Sequence, residues 1–106
     1  MKRHAVACPL ALAAAMWTPS GAIAADKAFG EYLSSECVTC HQISGRYEGI
    51  PPIVGWPEPI FVEVMDDYRQ KKRANAIMQT VAQRLSPDEV AALAAYFGSL
   101  SPVAAK

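Results

Sequence analysis

Histidine and cysteine are scarce in this chain, and no stretch of it repeats. Two histidines and three cysteines stand among 106 residues, so any site built on those side chains can occur only once. Charge of one sign is missing as well. Ten basic and ten acidic residues give a formal net charge of zero, which offers no reason to expect a nucleic-acid partner. Runs alternating between apolar and polar residues, the mark of a half-buried strand, are not found. Nor is there an unbroken apolar run of the roughly 20 residues that a membrane-spanning helix needs, because Pro9, Pro19 and Gly21 interrupt the one apolar stretch near the N-terminus. The length allows one domain at most.

That apolar stretch has another reading. Lys2 and Arg3 form a positive start, Ala5 to Met16 an apolar centre, and Ala22-Ile23-Ala24 a small-residue cleavage site, the three parts of a secretory signal peptide. A lipoprotein anchor through Cys8 does not fit, since the apolar segment follows that cysteine instead of preceding it. Residues 1–24 are expected to be removed on export to the periplasm, leaving residues 25–106 as one domain. The 82 residues that remain hold eight basic and ten acidic side chains, one histidine and two cysteines.

All three of those rare side chains fall in Cys37-Val38-Thr39-Cys40-His41. C-x-x-C-H is the pattern of covalent c-type haem attachment, in which the thiols add to the two vinyl groups and the histidine is held under the iron. Cys37 and Cys40 are the expected tethers and His41 the proximal axial ligand. A thioredoxin-like redox pair would need a strand and helix around it, and a zinc site would need a second pair of ligands, for which only His4 and Cys8 are left. A haem would also answer a problem of size. Eighty-two residues are too few to bury a comfortable core unaided, and a flat apolar macrocycle becomes the centre that they lack.

The rest of the chain reads as helical. Asp26 to Glu36 makes a first helix, with Asp26 as N-cap, Phe29, Tyr32 and Leu33 on the apolar face, and Gly30 permitting close approach of another helix. Gln42 to Pro57 is broken by glycine and proline and reads as a loop, yet Ile50, Ile53, Val54 and Trp56 make it apolar enough to cover a haem face. Pro59 to Arg69 makes a second helix, with Phe61, Val64, Met65 and Tyr68 inward and Glu63, Asp66 and Asp67 outward; Lys71-Lys72-Arg73 reads as its solvated end. Ala74 to Leu85 is a mixed loop and short helix carrying Met78. Ser86, Pro87 and Glu89 announce a last helix with a capping box, Val90, Leu93, Ala94 and Phe97 share its face, and Gly98 is its expected C-cap.

With these residues in view, the chain resembles the class I c-type cytochromes, and within them it is similar to the small cytochrome subunit of flavocytochrome c sulfide dehydrogenase. The likeness covers nearly all of residues 25–106. It rests on Cys37-Val38-Thr39-Cys40-His41, Gly49-Ile50-Pro51-Pro52-Ile53-Val54-Gly55, Val64-Met65-Asp66-Asp67-Tyr68-Arg69, Ala76-Ile77-Met78 and the run from Ser86 to Phe97.

That resemblance implies an all-α fold, three main helices and loops around one covalently bound haem c, with Leu33 and Tyr96 where the first and last helices cross. It implies that the Pro51 carbonyl accepts the ring N–H of His41 and that Met78 is the distal iron ligand, while Ile53 and Trp56, from the apolar loop, are expected to line the haem pocket beside Pro51. Met65 is the competing methionine, but the apolar face of a helix more often uses methionine as filler. A His41/Met78 pair would saturate the iron, leaving one-electron transfer as the function and no catalytic site in the chain itself. The partner so implied is a flavoprotein subunit carrying FAD, which oxidises sulfide, with a cytochrome or oxidase downstream. An apolar rim of Ile50, Pro52, Ile53, Trp56 and Ile77 would suit such a permanent partner. The alternatives are a free periplasmic carrier and an open-haem sensor or peroxidatic protein.

Overall fold

The computed structural model describes residues 2–5, 26–47 and 49–102. The expected cleavage site, Cys8 and the apolar stretch beyond Ala5 lie outside them. Four α-helices follow in order, α1 (Lys27–Leu33), α2 (Glu58–Arg69), α3 (Ala76–Arg84) and α4 (Pro87–Ser99), with a 3₁₀ turn at Ser34–Glu36 and no strand among the described residues. The three expected main helices are α1, α2 and α4, and α3 is a fourth, at 9 residues longer than the 7 of α1.

Helix α1 begins where Asp26 accepts hydrogen bonds from the amides of Ala28 and Phe29, at 3.0 and 3.2 Å, satisfying two of the donors that a helix start leaves open. It was expected to run to Glu36 but tightens after Leu33. Ser34 and Ser35 hydroxyls donate back to the carbonyls of Glu31 and Tyr32, competing for the acceptors that the α pattern would use. The expected apolar face is also displaced. Phe29 and Tyr32 are exposed, Tyr32 at 76%. The buried residue is Gly30, where an added Cβ would lie 2.1 Å from the Ala92 carbonyl oxygen and 2.8 Å from Tyr96 Cβ. Backbone contact with α4 therefore decides which side of α1 turns inward; Tyr96 lies at this crossing, and Leu33 and Tyr96 both pack against the core.

Helix α2 buries Phe61 and Met65, keeps Val64 and Tyr68 half-buried and turns Glu63 and Asp66 out, as its 3.6-residue period requires. Its end is a Schellman turn: the amide of Lys71 donates to the Tyr68 carbonyl and that of Lys72 to the Asp67 carbonyl. Lys71 takes φ of 59°, a place usually left to glycine.

Helix α4 has the expected capping box, the Ser86 hydroxyl accepting from the Glu89 amide at 3.2 Å and the Glu89 carboxylate from the Ser86 amide at 3.0 Å. Those bonds, the backbone one first, hold the Glu89 carboxyl below its ordinary range. Gly98 is not the C-cap. The helix continues to Ser99, and Gly98 instead lets the chain at Trp56 pass close by: an added Cβ would lie 2.9 Å from the Trp56 carbonyl oxygen. The neighbouring Gly55 amide donates to the Phe97 carbonyl at 2.8 Å, fastening the irregular 42–57 segment to α4. Phe97 and Leu93 are fully buried, Phe97 stacks on Phe61 with centroids 5.9 Å apart, and Ile53, Val54, Met65, Ala82, Val90 and Ala94 complete the core.

The crossing gives a direct test. Alanine is intrinsically better than glycine in a helix by about 1 kcal/mol. Gly30→Ala should nevertheless destabilise the protein, by roughly 1–3 kcal/mol as overpacking does, because the methyl meets backbone and not a flexible side chain. The denaturant midpoint of the haem-loaded protein measures it, and a rise would show that α1 does not press on α4 at Gly30.

Candidate functional site

The C-x-x-C-H stretch continues directly from the 3₁₀ turn. The Cys37 amide donates to the Ser34 carbonyl at 2.9 Å, Cys40 to Cys37 at 3.1 Å, and His41 to Cys37 at 2.8 Å. One turn of hydrogen-bonded backbone thus carries both sulfurs and the imidazole at positions i, i+3 and i+4, which share one side of such a turn. All three line a cavity of about 490 Å³ whose wall is mainly apolar.

His41 is fixed within it. Its Nδ1 lies 2.7 Å from the Pro51 carbonyl oxygen, and because a carbonyl can only accept, Nδ1 carries the proton. Nε2 is left with its lone pair, the form of imidazole that ligates a metal. The Cys37 thiol is pushed up to about 11, first by burial and then by the Glu36 carboxylate beside it. A redox-active pair needs the opposite shift, toward thiolate. The two cysteines are not bonded to each other. Among the described residues no three His, Cys, Asp or Glu side chains converge, as a zinc site of that kind would require.

The remaining expected residues also reach this cavity. Ile53, Trp56 and Pro51 come from the 42–57 loop and Met78 from α3. Met78 was read as lying in a less regular segment, but it sits in the first turn of α3, where its amide donates to the Asn75 side chain at 3.0 Å. Met65 reaches the cavity too. The difference between the two is that Met65 is sealed into the core beside Phe61, whereas Met78 is only partly buried against it. The expected apolar rim is corrected in one respect: Ile53 is 8% exposed and belongs to the core, while Ile77 is 74% exposed.

Sequence reasoning missed Tyr68, Arg73, Val81, Arg84 and Leu85 as cavity residues. Met78, Val81 and Leu85 follow one another at helical spacing, a signal that was present but short. Two thiols on one turn, an imidazole with Nε2 available, a thioether and an apolar surround form a donor set that fits a tethered metalloporphyrin.

Residues 26–101 match the family model of cytochrome c, so the chain belongs to the cytochrome c family, whose members are electron carriers with covalently bound haem c. Cys37 and Cys40 fit its attachment motif. The chain is similar to a thiosulfate dehydrogenase electron acceptor of Thiomonas intermedia (strain K12), 32% identical over 72 residues that make up 65% of this chain and 33% of the relative. It is similar to the cytochrome subunit of sulfide dehydrogenase of Chlorobaculum tepidum, 30% identical over 73 residues, 68% of this chain and 66% of the relative. Cytochrome c-554(548) of Halomonas halodenitrificans is 36% identical over 83 residues, 72% of this chain and 98% of the relative. The matched region thus spans a third of the first relative and just under two thirds of the second. No helix among the described residues is long and apolar enough to cross a membrane.

Attachment is tested chemically. The purified protein should keep its haem through acid–acetone extraction, and release of the haem into the solvent would rule out thioether bonds at Cys37 and Cys40.

Proposed function

We propose that this chain is a periplasmic single-haem cytochrome that accepts electrons one at a time, as the electron-transfer subunit of a flavocytochrome c sulfide dehydrogenase. Residues 1–24 are its cleaved leader and residues 25–106 its cytochrome domain. The observation that carries the reading is that Cys37, Cys40, His41 and Met78, from different parts of the chain, line one apolar cavity. Cys37 and Cys40 would tether the haem, and His41 Nε2 and the Met78 sulfur would hold its iron. When bound, haem supplies a one-electron Fe(III)/Fe(II) couple whose potential a thioether ligand raises.

The chain's own residues do the rest. The Pro51 carbonyl holds the imidazole in one tautomer and orientation. Ile53, Trp56, Phe61 and Leu93 keep water from the cavity wall. With His41 and Met78 both holding the iron, a small substrate would have no place to bind there, and sulfur chemistry would fall to the partner. That partner is an FAD-containing subunit, and a further cytochrome or oxidase takes the electrons onward. Similarity to a sulfide dehydrogenase cytochrome subunit over two thirds of the chain supports this choice, as does the exposed Ile77 beside Met78. A second reading, a free carrier, draws on the Halomonas cytochrome, which is matched over almost its whole length.

The two methionines separate by experiment. Met78→Ala should lower the reduction potential, while Met65→Ala should leave it and cost roughly 2–5 kcal/mol of stability, as truncation of a buried methionine does. The reverse would make Met65 the ligand.

The partner is tested on native material. The chain should copurify with a larger FAD-containing subunit, and sulfide should reduce its haem rapidly in that complex but slowly in the isolated cytochrome. Ile77→Asp should weaken the complex, because docking would desolvate an unpaired carboxylate. A monomer in native extracts, indifferent to that substitution, would favour the free carrier. Rapid carbon monoxide binding at neutral pH would instead point to an open iron.

A further inference from the structure

Besides Cys37, Cys40 and Tyr68, four charged or titratable side chains line the cavity: Glu36, His41, Arg73 and Arg84. Three have partners. Arg84 and Glu36 face each other at 3.9 Å, and His41 donates to Pro51. Arg73 is held differently. Its Nε donates to the Tyr68 hydroxyl at 3.1 Å, and its guanidinium carbon stands 5.4 Å from the centroid of the Tyr68 ring, within reach of a cation–π contact. The Gln79 side-chain amide donates to the Arg73 carbonyl at 3.0 Å, tying its backbone to α3. Arginine carries five N–H donors, and this clamp uses one. No carboxylate among the described residues pairs with the Nη groups.

The geometry points to Arg73 as the residue that pairs with a carboxylate on the edge of the haem, with Tyr68 as the residue that positions it. This rests on the haem reading above. Haem brings two carboxylates to a largely apolar cavity, where an ionised group without a partner is costly. A clamped guanidinium meets a carboxylate with two parallel N–H donors, and little freedom remains to be lost. All three residues of the basic run are exposed, but only Arg73 also lines the cavity, at its open edge; Lys71 and Lys72 do not.

The sign of the effect follows. A paired carboxylate stays ionised on both sides of neutrality, so the reduction potential should be nearly flat with pH there. Without Arg73 the desolvated carboxylate holds its proton to higher pH, more so once the iron is reduced and the site is more negative. Reduction then takes up a proton, and the potential falls as pH rises through that range. Above that range, where the carboxylate is ionised without its cation, the site is more negative, which favours the ferric state and lowers the potential.

The experiment is a redox titration of the purified haem-loaded protein across neutral pH. Arg73→Gln should lower the potential and introduce a pH-dependent segment that the wild type lacks. Arg73→Lys should restore most of the flat profile, and Tyr68→Phe should show the effect in weaker form. Lys72→Gln removes the same charge outside the cavity and should show no pH-dependent segment. An unchanged pH profile in Arg73→Gln, with covalent haem and spectrum intact, overturns this inference alone, even if the potential drops uniformly. Slower reduction by a partner with potential and profile unchanged overturns it as well, making Arg73 a docking residue. If Arg73→Gln does not accumulate, Tyr68→Phe decides: a displaced profile supports the assignment and an unchanged one removes it. Haem extracted from the wild type by acid–acetone would overturn the underlying reading instead.

Discussion

Everything in this fold hangs on the passage of α1 over α4 at Gly30. Two backbones that close leave no room for a Cβ, so the crossing admits essentially one relative placement. The consequences run outward from it. The 3₁₀ turn after α1 delivers the C-x-x-C-H backbone beside Leu93, and the Phe97 carbonyl, at the other end of α4, holds Gly55 and with it the irregular 42–57 segment. That segment in turn presents the Pro51 carbonyl to His41. A close contact of two helices thus reaches the imidazole through main-chain hydrogen bonds, which side-chain motion disturbs little.

The protein surrounds its centre more than it fills it. Its buried cluster is real but small, with only Phe97 and Leu93 wholly shielded among the large side chains of the described residues. Beside it lies a cavity of about 490 Å³ lined by Leu93, Phe61, Ile53 and other apolar groups, which would be costly to leave facing water. A short domain commonly needs a staple of this sort. Covalent tethering through Cys37 and Cys40, as proposed, would make the staple permanent, while burial that raises the Cys37 thiol argues that this sulfur is not built for reversible redox chemistry.

What could be read from the sequence was what depends on neighbours in the chain. The capping box at Ser86 and Glu89, the Asp26 cap and the inward face of α2 are all local patterns, and each stands in the structure as read. What could not be read was set across the fold. Phe29 and Tyr32 looked like core, yet the α1 face is chosen by a glycine whose value lies in what it lacks. Gly98 had the composition of a helix stop, but tertiary packing against Trp56 uses it within the helix. Ile53 was grouped with its loop neighbours as rim, although only the fold decides which residue of a loop turns inward. The segment around Met78 looked irregular because α3 is only nine residues long, and its asparagine cap, Asn75, was not recognised.

The turn between α2 and α3 shows how one run of like charges can hold two roles. A Schellman ending at Lys71 reverses the chain within two residues, at the cost of placing a side chain in a left-handed conformation disfavoured by about 1–2 kcal/mol. Glycine would avoid that cost, but it would not supply a cation there. After the reversal both Lys72 and Arg73 are exposed, but Arg73 lies back over Tyr68, the residue whose carbonyl accepts from Lys71 in that same turn. The geometry that ends α2 is therefore also the geometry that brings a guanidinium to the cavity wall. Straightening the turn would move the charge and the helix end together, which couples the electrostatics of the site to the backbone at Lys71 without a contact between them.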